Sequence, residues 1–122
     1  MKSILLNSRK HDISFHASGK IDISAHIARQ LALVPGDVID IMQESGELYL
    51  YVKLRAGNYF GRHDGRVWAT AHGKGTFRAW SKAMTTAVLR EAGASGLLRC
   101  PCGLTFERDN KKYITIIYRC SL

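Results

Sequence analysis

The sequence predicts a mainly β protein with short helices, assembled from two halves that each run strand, short helix, hairpin. Three observations carry this expectation. Apolar and polar residues alternate over several short runs, of which Gly19-Lys20-Ile21-Asp22-Ile23-Ser24 is the strictest. Helical periodicity is confined to two stretches, each opened by a serine suited to cap it. The order of elements in the first half then returns in the second, as an internal duplication would make it.

In the first half, Ile21 and Ile23 share one strand face, and Ser24 caps a helix of about two turns with Ile27, Ala28 and Leu31 as its apolar stripe. Val34-Pro35-Gly36-Asp37 forms a turn in which proline sets φ, glycine supplies positive φ and Asp37 acts as a cap. Residues 38–42 and 48–54 read as strands joined by a hairpin turn over Glu44-Ser45-Gly46-Glu47. Leu48, Leu50, Val52 and Leu54 face inward, Tyr49, Tyr51 and Lys53 outward, and Asp22 and Asp40 lie on strand surfaces. Residues 56–65, rich in glycine and turn formers, read as a linker between a first half at 1–55 and a second at 66–122.

In the second half, residues 66–71 alternate around Val67, Ala69 and Ala71, 72–75 turn, and 76–79 extend. Ser81 caps a helix running to Ala92, with Met84, Ala87 and Val88 on its apolar side and Gly93 as its stop. Residues 96–100 and 112–118 read as strands, with a turn at 107–110 between them. A shift of 56 sets residues 19–33 against 75–89, whereas the final strands end 64 apart, at Arg55 and Arg119. A second copy would therefore carry eight extra residues in its turns; the alternative is one small α+β domain whose halves only look alike.

Composition narrows the class. At 122 residues, 46% apolar and 23% charged, the chain is of ordinary globular make-up, which excludes disordered, collagen-like and coiled-coil proteins. No apolar run approaches the ~20 residues of a membrane span. The first residues lack an apolar core and cleavage site of the signal-peptide type, and the odd count of three cysteines suits reduced thiols, so a cytoplasmic protein is expected. Net charge is +8, and it is uneven: residues 1–60 carry seven basic and six acidic side chains, residues 61–122 eleven and four. A small domain of this charge has nucleic acid as its natural acidic partner.

The run Gly19-Lys20-Ile21-Asp22-Ile23-Ser24, then Ile27 and Leu31, then Leu33-Val34-Pro35-Gly36-Asp37-Val38-Ile39-Asp40-Ile41, resembles the AbrB/MazE/SpoVT swapped-hairpin family. That family reads loosely as glycine, a basic residue, an alternating strand and proline, then a short helix and an L-G-[IL]-x-x-G-D turn. The resemblance covers about residues 15–54. It departs at Ser24, where the family has proline, and at Ala32, where it has glycine. It implies an AbrB-like barrel of two hairpin-swapping copies. Here that means a homodimer or, with the second half as a degenerate copy, a monomeric pseudo-dimer. It also implies a regulator or antitoxin-like repressor that binds duplex DNA. Carried over by position, Lys20 matches the family's basic strand residue, Arg29 a basic helix position, and Arg9 and Lys10 its N-terminal arm.

Beyond the resemblance, Arg62, His63, Arg66, Lys74, Arg78 and Lys82 recur among Tyr59, Phe60, Trp68, Phe77 and Trp80, a mixture suited to phosphate contact and base stacking. Arg78 and Lys82 stand out because a helix begins beside them. Trp68 and Trp80 are expected in the core, as tryptophans more often are. Cys100-Pro101-Cys102 has C-x-C spacing without a second matched pair, and the five histidines show no ligand pairing, so no metal site is expected. Motifs for nucleophilic catalysis, nucleotide loops and carboxylate pairs are lacking, so neither an enzyme nor a cofactor is expected. The competing expectation is an assembly module that keeps the barrel without binding DNA.

Overall fold

Short alternating runs can bury only one face each, so they must pair into sheets that share a core. The computed structural model describes residues 11–71 and 73–119. Its elements run β1 (Ile13–His16), β2 (Lys20–Ile23), α1 (Ala25–Gln30), β3 (Val38–Glu44), β4 (Glu47–Leu54), β5 (Val67–Ala69), β6 (Phe77–Trp80), α2 (Lys82–Ala92), β7 (Leu97–Cys100), β8 (Cys102–Arg108) and β9 (Lys111–Ile116). They form two antiparallel sheets, β5-β6-β2-β1-β7 and β3-β4-β9-β8. Ile13, Phe15, Ile21 and Ala79 from the first sheet meet Leu50, Ile114 and Ile116 from the second in one buried cluster, with Ile27 of α1, its C-cap Leu31 and Val88 of α2. The expectation of a mainly β chain with short helices is met.

Each sheet contains strands of both halves. In the first, β2 pairs with β6, Asp22 opposite Arg78. In the second, β4 pairs with β9, Leu50 opposite Ile114. The first pair lies 56 apart in sequence and the second 64, the two offsets read from the sequence. Both hairpins turn on two residues of positive φ, Ser45-Gly46 and Asp109-Asn110, the primed geometry that matches strand twist. Two glycines make the same cross-half contact. Gly19, at φ 104°, leaves 3.2 Å between an added Cβ and the Lys82 nitrogen at the start of α2. Gly75, at φ 77°, leaves 3.3 Å to the Ala25 Cβ at the start of α1. A side chain at either would push the other half's helix away.

The helices are capped as read, Ser24 accepting from the Ile27 amide and Ser81 from the Met84 amide, with Gly93 left-handed at the end of α2. The apolar stripe of α2 differs from expectation. Thr85, Val88 and Leu89 are its buried residues, and Ala87 is exposed. The cause is one extra residue, Trp80, at the end of β6, so Ser24 corresponds to Ser81 at an offset of 57. Ala28 and Leu31 then fall on Thr85 and Val88, all four buried.

The barrel does not close. Among the described residues one isolated bridge, Val38 to Arg66, joins the two sheets at one corner, with the Val67 amide on the Asp37 carbonyl and the Ile39 amide on the Gly65 carbonyl beside it. A register shift at Val38/Ile39 interrupts the β3–β4 ladder there, which then continues to Glu44 opposite Glu47. On the other side Pro101, which has no N–H, separates β7 from β8 so that one strand direction passes from the first sheet to the second. Two strands went unread, β1 and β8. The turn of the second hairpin is Asp109-Asn110 rather than all of 107–110, and its last strand ends at Ile116.

Two buried aspartates fasten the corners. Asp37 accepts from the Val34 amide at 2.9 Å, the Ala56 amide at 2.8 Å and the Arg55 Nη1 at 2.8 Å. Arg55 also donates to the Leu31 and Ala32 carbonyls at the end of α1. One carboxylate thereby holds the helix end, the turn and the end of β4. Asp12 accepts from the Cys102 amide at 2.9 Å and joins β1 to β8.

At the centre of the β2–β6 pair, the Arg78 Nε donates to the Asp22 Oδ1 at 2.6 Å. Arg78→Asp would set two carboxylates opposite each other, and like charges in that register are destabilising. We expect a loss of about 1 kcal/mol in urea unfolding, recovered in the exchanged pair Asp22→Arg/Arg78→Asp. An exchanged pair no more stable than the single variant would contradict the assignment.

Candidate nucleic-acid interface

Strand alternation sorts the first sheet into two faces. Ile13, Phe15, Ile21, Ile23, Val67, Phe77 and Ala79 turn inward and are buried. Their neighbours turn outward, and the registers align them in two rows across the strands. One row runs Trp68, Arg78, Asp22, Ser14, Arg99. The other contains Trp80 and Lys20, with Leu97 opposite His16 further along. Lys20, Arg78 and Arg99 are the cations of this outer face and Asp22 is its carboxylate, with Arg66 just ahead of β5. The face is basic and carries two aromatic plates.

Those plates are Trp68 and Trp80, expected in the core and found 50% and 54% exposed. The correction has a simple cause. Phe77 and Ala79 take the inward positions of β6 and Val67 that of β5, so the alternating tryptophans point to solvent. Trp68 is held by a neighbour: the Arg66 guanidinium lies 5.8 Å from its ring centre and 5.3 Å from that of Tyr59. Tyr59 is fixed in turn, its hydroxyl donating to the Gly36 carbonyl at 2.6 Å. Arg66 Nη2 donates to the Gly61 carbonyl at 3.0 Å, which ties down the loop bearing Arg62, His63 and the almost fully exposed Phe60.

The other predicted residues divide. Lys20 opens β2 beside Trp80, and the Ser81 amide donates to the Gly19 carbonyl at 2.8 Å, which brings Lys82 to the same edge. Arg78 lies on the face but is committed to Asp22, whose second oxygen is 3.3 Å from the His16 ring. Lys74 is exposed in the turn between β5 and β6. Arg29 is exposed on the last turn of α1, outside the sheet. Arg9 and Lys10 lie outside the described residues. Arg99 was missed: alternation through residues 96–100 marks it as outward, but only the β1–β7 pairing brings it into line with Asp22 and Arg78.

Elsewhere, a groove of about 350 Å³ runs between β3 and α2, lined by Ile39, Ile41, Met84 and Val88 among others. Its Asp64 accepts from the Ser81 hydroxyl at 2.5 Å and so supports the helix cap. Cys100 and Cys102 are buried. Among the described residues no three His, Cys, Asp or Glu side chains gather as a metal site. No described helix is long and apolar enough to cross a membrane. No family model matches this chain, and no curated protein and no solved structure matches it.

Proposed function

We propose that the protein binds nucleic acid through the outer face of the first sheet, as a regulator of the swapped-hairpin type whose two degenerate copies lie in one chain. The observation that carries this reading is the convergence of Lys20, Arg66, Arg78 and Arg99 with two half-exposed tryptophans on one face of a +8 chain. The cations neutralise phosphates and release counterions, a term that needs no particular base sequence. Duplex DNA is the ligand the family resemblance implies. The matching offsets of 56 and 64, the paired glycine contacts and the twin hairpin turns support the two-copy reading.

The central ion pair supports a monomer over a homodimer. If β2 paired with its own copy in this register, Asp22 would face Asp22, whereas within one chain it faces Arg78. Sedimentation equilibrium is expected to return the chain mass of 13.6 kDa, and a doubled mass would contradict the monomeric arrangement.

The binding reading is tested with a labelled random-sequence oligonucleotide, duplex and single-stranded, across a series of salt concentrations. Affinity is expected to fall steeply as salt rises. Lys20→Ala and Arg99→Ala are each expected to weaken binding and to lower the salt slope by about one. Binding to neither form at low salt would sink the reading and leave an assembly module as the role of the fold.

A further inference from the structure

We infer that the outer face of the first sheet takes single-stranded nucleic acid in preference to duplex, by stacking unpaired bases on Trp68 and Trp80. The inference rests on the nucleic-acid reading above and decides which form of ligand this face accepts.

Dimensions come first. Strands lie about 4.8 Å apart, so five of them span about 19 Å, wider than the ~12 Å major groove of B-DNA. That groove admits a helix or a two-stranded ribbon. A five-stranded sheet does not enter the groove of an unbent duplex and rests on its phosphates, where two tryptophan faces find no unpaired base to stack on. A single strand has no groove. Its backbone can follow the cations while its bases turn down onto the sheet.

The placement of the aromatic side chains fits that ligand. Trp68 and Trp80 extend from adjacent strands, β5 and β6, and their inward neighbours Val67 and Ala79 are fully buried, which anchors the backbone beneath them. Arg66 lies against the Trp68 ring as well as that of Tyr59, so one plate is ordered before any ligand arrives. Lys20 stands directly across from Trp80, and Arg78 directly across from Trp68. Lys20 thus offers the Trp80 plate a cation one strand away, while Arg78, beside Trp68, is paired with Asp22. The shared chemistry, an unpaired base on a phosphate backbone, belongs to DNA and RNA alike.

Trp68 and Trp80 are the chain's only tryptophans, so intrinsic tryptophan fluorescence reports from this face alone. The test titrates the unmodified protein with a thymine DNA strand of about 12 nucleotides, the uracil RNA equivalent, and the thymine strand annealed to its complement. We expect the single strands to quench the fluorescence and to bind at least about tenfold more tightly than the duplex. A ribose preference would show in the difference between the first two. Trp68→Ala and Trp80→Ala, checked for unchanged melting, are each expected to lose about tenfold in single-strand affinity and little for duplex. If a variant does not fold, quenching in the unmodified protein decides. Duplex bound as tightly as single strand, or single strand bound without quenching, would overturn the inference and leave the proposed function standing. Binding of none of the three would remove both.

Discussion

The fold depends on the pairing of its two halves at three places, β2 with β6, β1 with β7 and β4 with β9. Neither half has a sheet of its own beyond a hairpin, and an isolated two-stranded hairpin is at best marginally stable in water. Joined, they enclose a core in which Leu50 and Ile114 face each other at the centre of one sheet while Ile21 and Ala79 flank the centre of the other. The interface is therefore the core itself. Its polar centre, Asp22 against Arg78, requires unlike residues at equivalent positions, which a single chain carrying both halves supplies.

The same pairing creates the outer face. The first half contributes Lys20, Asp22 and His16; the second contributes Arg66, Trp68, Arg78, Trp80 and Arg99. The second half carries most of the net charge, and its β5, β6 and β7 flank the two strands of the first half on both sides. A basic aromatic surface arises because the inward positions of these strands are filled by Val67, Phe77 and Ala79, which leaves the larger polar and aromatic side chains to solvent.

Much of this was legible in the sequence, and the exceptions have physical causes. The strict alternation at 19–24, the serine caps, the Pro35-Gly36-Asp37 turn and the glycine stop at Gly93 each rest on local chemistry and appear where read. β1 was missed because a four-residue strand offers only Ile13 and Phe15 as signal. β8 was missed because it lies at a sheet edge, carries a register shift between Cys102 and Thr105, and exposes Leu104. Closure of the barrel depends on edge-to-edge pairing, which no local pattern encodes. The tryptophans were misjudged by residue type alone. Their strand phase, opposite to Phe77 and Ala79, already pointed outward. Arg99 needed the long-range β1–β7 register before it could join the face.

The most direct test of the account is to map where an oligonucleotide touches the protein by following backbone amide NMR signals during a titration. The account predicts shifts concentrated on β2, β5, β6 and β7 and on the loop of residues 57–66. Shifts concentrated instead on the β3–β4 and β8–β9 hairpins, with the first sheet unperturbed, would contradict it.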